Sequence, residues 1–155
     1  MGRPSEALTE QDYANLLSFR VWLRAFLWWS EQRAAEVGLT AAQHQLLLAV
    51  RGHSDSRGPT IRELAGYLCT RHHSAVQLAD RVERLGLIRR NRVRAGDRRE
   101  VRLTLTEAGR LKLSLLSAAH LEELRRLAPL LNALFELPNR GGRMLLGPLG
   151  QPCSP

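Results

Sequence analysis

Between Thr60 and Leu105 the hydrophobic pattern changes period once, at Gly86, and that change restricts the segment to two short helices followed directly by an antiparallel hairpin. Upstream of Gly86 the pattern predicts a short helix over 60–68, the tight turn Leu68-Cys69-Thr70, and a helix from about Arg71 to Leu85, the outline of a helix-turn-helix. In the second helix Ala75, Leu78, Ala79, Val82 and Leu85 share one face and are expected to pack inward. Arg71, Ser74, Gln77, Arg81 and Arg84 recur on the opposite face. Gly86 suits the position after a helix, where a left-handed backbone is common. Beyond it Leu87–Val93 reads as a strand and Arg94-Ala95-Gly96-Asp97 as a turn, and Arg99–Leu105 alternates polar and apolar residues strictly.

Threonines mark where helices begin. Thr9-Glu-Gln-Asp12, Thr40-Ala-Ala-Gln43 and Thr60-Ile-Arg-Glu63 each place a hydroxyl three residues before an acid or amide, the spacing of a capping box. Thr106 lacks that partner but puts Glu107 in a first helical turn. From Thr9 a long helix runs almost to Gly38, carrying all three Trp (22, 28 and 29) and two of three Phe (19 and 26). It is apolar around too much of its circumference for a small core to cover, which favours a subunit contact or ligand pocket over a purely monomeric core for the aromatic set as a whole. A second helix spans 40–52, and the polar stretch His53–Pro59 is a loop. A second long amphipathic helix runs from Thr106 to Leu127 and is expected to stop or kink at Pro129, with a short apolar helix over Leu130–Leu137. Residues 138–155 hold four Gly and four Pro and read as a flexible tail.

Charge is distributed unevenly. Of 23 basic residues 22 are Arg, which a GC-rich genome alone explains, but their positions carry information. Residues 57–102 hold 12 Arg against five acids, a balance of +7, and the other 109 residues carry the remaining +1 of the net +8. An imbalance confined to under a third of the chain is an electrostatic footprint for phosphates. An anionic membrane surface is the competing partner, but it favours a basic amphipathic helix, whereas these arginines straddle helix, strand and turn. The densest apolar run, 21–29, contains Arg24 and is far short of the roughly 20 residues that span a bilayer, so no membrane association is expected. The N-terminal MGRPSEALTEQDY lacks the apolar stretch of a signal peptide, and two cysteines 84 positions apart make no disulfide framework or metal finger, which points to a cytoplasmic protein. Nucleophile-elbow, P-loop, metalloprotease-helix and dinucleotide motifs are all missing, so an enzyme is not expected.

A helix-turn-helix followed by a basic hairpin, flanked by long apolar helices, resembles the MarR family of bacterial transcriptional regulators. The matching text is Leu39-Thr40-Ala-Ala-Gln43, Ile61-Arg-Glu-Leu-Ala65, Asp80-Arg81-Val82-Glu83-Arg84-Leu85-Gly86-Leu87-Ile88-Arg89-Arg90, Asp97-Arg98-Arg99, and Leu103-Thr-Leu-Thr-Glu-Ala-Gly109. The resemblance implies a mainly α (α+β) fold: a winged helix-turn-helix with a two-stranded wing over residues 39–105, between dimerisation helices over 9–38 and 106–137, with a flexible N-terminus over 1–8. It further implies a homodimer on double-stranded DNA, its two recognition helices in successive major grooves with half-sites roughly 34–36 Å apart. The wing would enter the flanking minor groove, with Arg99 inserted, Asp97 holding it or a neighbour in place, and Arg98 and Arg94 at the tip.

On that reading Arg71, His73, Ser74, Gln77 and Arg81 read bases or clamp the backbone, since Arg pairs with guanine edges and Gln with adenine edges. For Arg81 and Arg84 the alternative is an ion pair with Asp80 or Glu83 on a solvated helix face. Thr60 and Thr70, taken as N-caps, are candidates for positioning phosphates. The family's effector pocket, often for small aromatic or phenolic acids, could be lined by Trp22, Phe26, Trp29, His44 and Arg51, or these residues pack the hinge between the two parts. A redox or metal sensor using Cys69 and the histidines, and a winged helix for protein interaction or nonspecific DNA binding, are the alternative functions. Adjacent histidines such as His72 and His73 point about 100° apart on a helix, so no metal or other cofactor is expected there.

Overall fold

The computed structural model describes residues 8–95 and 98–135, with the side chains of 94–99 and 130–135 outside the description. Its elements are α1 (Glu10–Glu36), α2 (Ala41–Gly52), α3 (Ile61–Tyr67), α4 (His72–Arg84), β1 (Ile88–Ala95), β2 (Arg98–Leu105) and α5 (Glu107–Phe135). The three capping boxes form as the sequence predicts: the Asp12, Gln43 and Glu63 N–H groups donate to the hydroxyls of Thr9, Thr40 and Thr60, whose own N–H groups donate back to those side chains. Thr106 opens α5 by a different route. Its hydroxyl accepts from the Gly109 N–H at 3.1 Å and donates to the Gly86 carbonyl at 2.6 Å, tying the helix start to the end of α4.

Thr70 does not cap α4. The turn after α3 passes through Cys69 at a left-handed φ of 46°, the Thr70 N–H returns to the Ala65 carbonyl, and Arg71 becomes the N-cap without a side-chain cap bond. Pro129 does not end α5, which continues to Phe135. The proline is exposed, so the missing backbone hydrogen bond lies on the solvent side of a helix whose strong formers continue past it. Leu85 is the C-cap of α4 rather than part of its inner stripe, and it is 53% exposed.

β1 and β2 pair antiparallel from Ile88↔Leu105 to Ala95↔Arg98. Arg94 and Ala95 are therefore strand residues rather than part of the turn, and Gly96 and Asp97 between the strands lie outside the described residues, as does the proposed tail. The core is built from Leu46 and Leu47 of α2, Leu64 of α3, Ala75, Ala79 and Val82 of α4, Ile88 and Leu103 of the hairpin, and Leu113 and Leu116 of α5. One continuous core thus fixes the outer face of α4 and the base of the hairpin relative to each other. On α5 the inward stripe is Leu113, Leu116 and Leu127, whereas Leu111, Leu115 and Leu124 are exposed.

Candidate nucleic-acid interface

Helix α4 is sharply two-sided. Its inner residues are buried, and Arg71 at its cap, His72, His73, Gln77, Arg81 and Arg84 are exposed, with Ser74 half-buried among them. The alternative of an ion pair for Arg81 or Arg84 on this face is not what forms. Both carboxylates of α4 turn to the wing strand: Asp80 Oδ1 accepts from Arg90 Nη2 at 2.6 Å, and the Glu83 carboxylate accepts from Arg90 Nη1 and, at 3.0 Å, from the Arg90 backbone N–H. Arg84 instead donates its Nε–H to the Asp80 main-chain carbonyl at 3.2 Å.

The same sorting runs through the basic segment. Arg57 pairs with Asp55 at 2.6 Å and holds that carboxyl well below its usual range, chiefly through their side-chain hydrogen bonds. Arg102 is buried, donating to the Gly58 carbonyl at 2.8 Å and to Glu100 at 2.9 Å, with Asp55 and Glu63 within 4 Å. Three arginines thus engage the region's described acids. Arg62, Arg71, Arg81, Arg84, Arg89 and Arg92 remain exposed without an ion pair among the described residues. The pattern leaves these six positive charges exposed and unneutralised by the described acids, as a phosphate-binding region requires. In the hairpin Arg94 stands directly opposite Arg99 and Ala95 opposite Arg98. The side chains of Arg94, Arg98 and Arg99, and Asp97 altogether, lie outside the described residues.

Thr60 is occupied by its own helix, its N–H and hydroxyl both donating to Glu63 at 2.7 and 2.9 Å. Exposed Thr70 and Cys69 lie in the turn preceding α4. Among the described residues no helix is long and apolar enough to cross a membrane, and no group of three or more His, Cys, Asp or Glu is placed to hold a metal ion.

The structure matches MarR-family architecture throughout the described core. The MarR family model matches residues 37–100. The matched residues lie within the winged helix that α2, α3, α4, β1 and β2 form. Similar solved structures include MepR of Staphylococcus aureus, a transcription regulator of the multidrug efflux pump MepA, at 22% identity and TM-score 0.62 over 76% of this chain and 82% of that one. AbsC, a MarR family transcriptional regulator from Streptomyces coelicolor, matches at 20% identity and TM-score 0.64 over 79% and 81%. A MepR point mutant bound to an oligodeoxyribonucleotide matches at 21% identity and TM-score 0.58 over 79% and 84%. None of the curated proteins matches the chain.

Four of the five predicted pocket residues come together, three of them around a residue that the sequence left unassigned. Trp22, Phe26 and Trp29 stack in series along α1, and Phe26, Trp29 and His44 all pack against His120 of α5 with ring centroids 4.7–6.0 Å apart. Arg51 is elsewhere, exposed at the end of α2 and lining a separate cavity of about 350 Å³ with His53, Leu103 and Arg110. The visible signal for His120 was a polar residue on the Leu113–Leu116–Leu127 stripe.

His120 Nδ1–H donates to the Leu116 carbonyl at 2.7 Å, so in the neutral ring Nε2 accepts from the Ser30 hydroxyl, also at 2.7 Å. The Trp22 indole N–H is buried without a hydrogen-bond partner among the described residues. His44 is 6% exposed, and burial, followed by the neighbouring His120, lowers its pKa below 6.5. Unfolding therefore takes up a proton between the lowered folded pKa and about 6.5, so stability is greatest above that range and falls on acidification through it. A His44→Gln variant is expected to show a flatter dependence of the urea midpoint on pH between about 5 and 7. An unchanged profile would remove His44 as the cause.

Proposed function

We propose that this chain is a sequence-specific double-stranded DNA-binding transcriptional regulator, a ligand-responsive repressor acting as a homodimer on a pseudo-palindromic operator. The observation that carries the reading is the outer face of α4, where Arg71, His73, Gln77, Arg81 and Arg84 are exposed and the helix's own carboxylates are engaged elsewhere. In this reading Arg71, His73, Ser74, Gln77 and Arg81 enter the major groove. Arg99 enters the minor groove beside it, ordered by Asp97 and accompanied by Arg94 and Arg98. The oligodeoxyribonucleotide-bound MepR mutant supports DNA as the partner.

Residues 9–38 and 106–137 serve dimerisation in this proposal. Leu16, Leu17, Val21, Leu27 and Trp28 of α1 and Leu111 and Leu115 of α5 are all exposed in the single chain, more apolar surface than an isolated protomer ordinarily leaves in water. The junction of Trp22, Phe26, Trp29 and His44 is where a small aromatic or phenolic acid would act, by displacing rings that now pack the hinge between α1, α2 and α5.

The test is competition binding between the promoter DNA upstream of the chain's own gene and random duplex of equal length. A regulator prefers the promoter by at least about 1,000-fold, and a module for protein interaction or nonspecific binding shows no preference. Arg99→Ala is expected to weaken promoter binding by about tenfold or more, and equally tight binding would refute the wing assignment.

A further inference from the structure

The opposed charges of α4 and the wing have a division of labour that the fold alone does not require. Helix α4 carries two acids, Asp80 and Glu83, and Arg84 follows Asp80 at the four-residue spacing that favours an intrahelical ion pair. That pair does not form. Arg90, on the first wing strand, instead forks across both carboxylates through its two terminal nitrogens, and its backbone N–H holds the second oxygen of Glu83. The Arg84 guanidinium rests against the Asp80 main-chain carbonyl and, like Arg81, has no carboxylate partner among the described residues.

We infer that Arg90 is a positioning residue for DNA binding: by engaging Asp80 and Glu83 it keeps Arg84 available to phosphate and offsets one of the two negative charges of the helix that meets the duplex. This rests on the proposed DNA-binding function and deepens it, because Arg90 acts through Arg84 rather than by touching the nucleic acid. A planar guanidinium suits the task, since one ammonium group presents no fixed fork for two separate carboxylates. Without Arg90, Asp80 is free to capture Arg84, and Glu83 faces the phosphates unpaired.

The experiment measures binding of the full chain to a fluorescein-labelled duplex between about 50 and 200 mM salt, for wild type, Arg90→Gln, Asp80→Asn/Glu83→Gln, and the triple variant. Arg90→Gln is expected to reduce the steepness of log affinity against log salt by about 1, the loss of one phosphate contact, and to weaken binding about tenfold at the low-salt end. Removing the acids in the Arg90→Gln background is expected to restore the wild-type slope and most of the affinity. The acid-free variant that retains Arg90 binds at least as tightly as wild type, a result that keeps the inference testable if Arg90→Gln alone fails to fold.

A purely structural brace behaves differently: Arg90→Gln, the acid-free variant and the triple variant would all lose affinity alike, and that result would overturn the inference. So would an unchanged salt slope in Arg90→Gln beside a steep wild-type slope. A wild-type chain with no salt-dependent duplex binding would instead overturn the DNA-binding reading on which the inference rests.

Discussion

Replacing Gly58 with alanine is expected to cost on the order of 4 kcal/mol of stability, enough to unfold a domain of ordinary marginal stability or leave it barely folded. Gly58 has a φ of +83°, and a Cβ built there would lie 1.8 Å from the Leu103 carbonyl oxygen and 2.9 Å from its carbon. Both atoms are backbone, so no rotamer change relieves the overlap, and the left-handed conformation adds roughly 1–2 kcal/mol for any residue with a Cβ. The loop has no freedom to withdraw. The Gly58 carbonyl accepts from buried Arg102 at 2.8 Å, and the next carbonyl, that of Pro59, accepts from the Leu103 N–H at 2.9 Å. Gly52, where an added methyl group would meet nothing within 4 Å, is the matched control, and its alanine variant is expected to be neutral or stabilised by up to about 1 kcal/mol. Urea unfolding at one fixed protein concentration distinguishes the two; equal midpoints would contradict the close approach of this loop to β2.

The double substitution Trp28→Glu and Leu115→Glu is expected to leave a folded monomer whose affinity for a two-half-site duplex is at least about 100-fold weaker than that of wild type. Trp28 is 65% exposed and Leu115 67% exposed, and neither belongs to the core of the protomer, so charge there leaves the internal packing in place. In the proposed dimer the same positions are covered, and burying two unpaired carboxylates opposes association. Binding then loses the high effective concentration that one engaged half-site confers on the other. Sedimentation and anisotropy titration of the same preparation report both effects, and a variant that remains dimeric would place the subunit contact elsewhere.

Much of this architecture is legible in local chemistry. Thr9, Thr40 and Thr60 announce their helices because a capping box needs only residues three positions apart, and the arginine-rich hairpin follows from the change of period at Gly86 and the strict alternation of Arg99–Leu105. Features set by distant neighbours are less visible. The turn at Cys69 moved the α4 cap to Arg71, and α5 carries two apolar faces, one buried and one exposed, which its sequence pattern did not separate. The site shows the same division. The outer face of α4 follows from helical spacing, but Arg90 and Arg102 are ordinary members of an arginine count until the fold brings Asp80, Glu83, Asp55 and Glu100 to them. The separation of Arg51 from Trp22, Phe26, Trp29 and His44 likewise depends on where the end of α2 lies relative to α5.

The central claim is that two copies of the chain grip one duplex through paired α4 helices. Selection of bound duplexes from a random-sequence pool tests it most directly, with the selected complexes then weighed by light scattering. The account expects enrichment of an inverted repeat whose half-site centres lie about 10–10.5 base pairs apart, or a multiple of that spacing, with two chains per duplex. A pool that remains random after repeated rounds, or a selected site bound by a single chain, would contradict it.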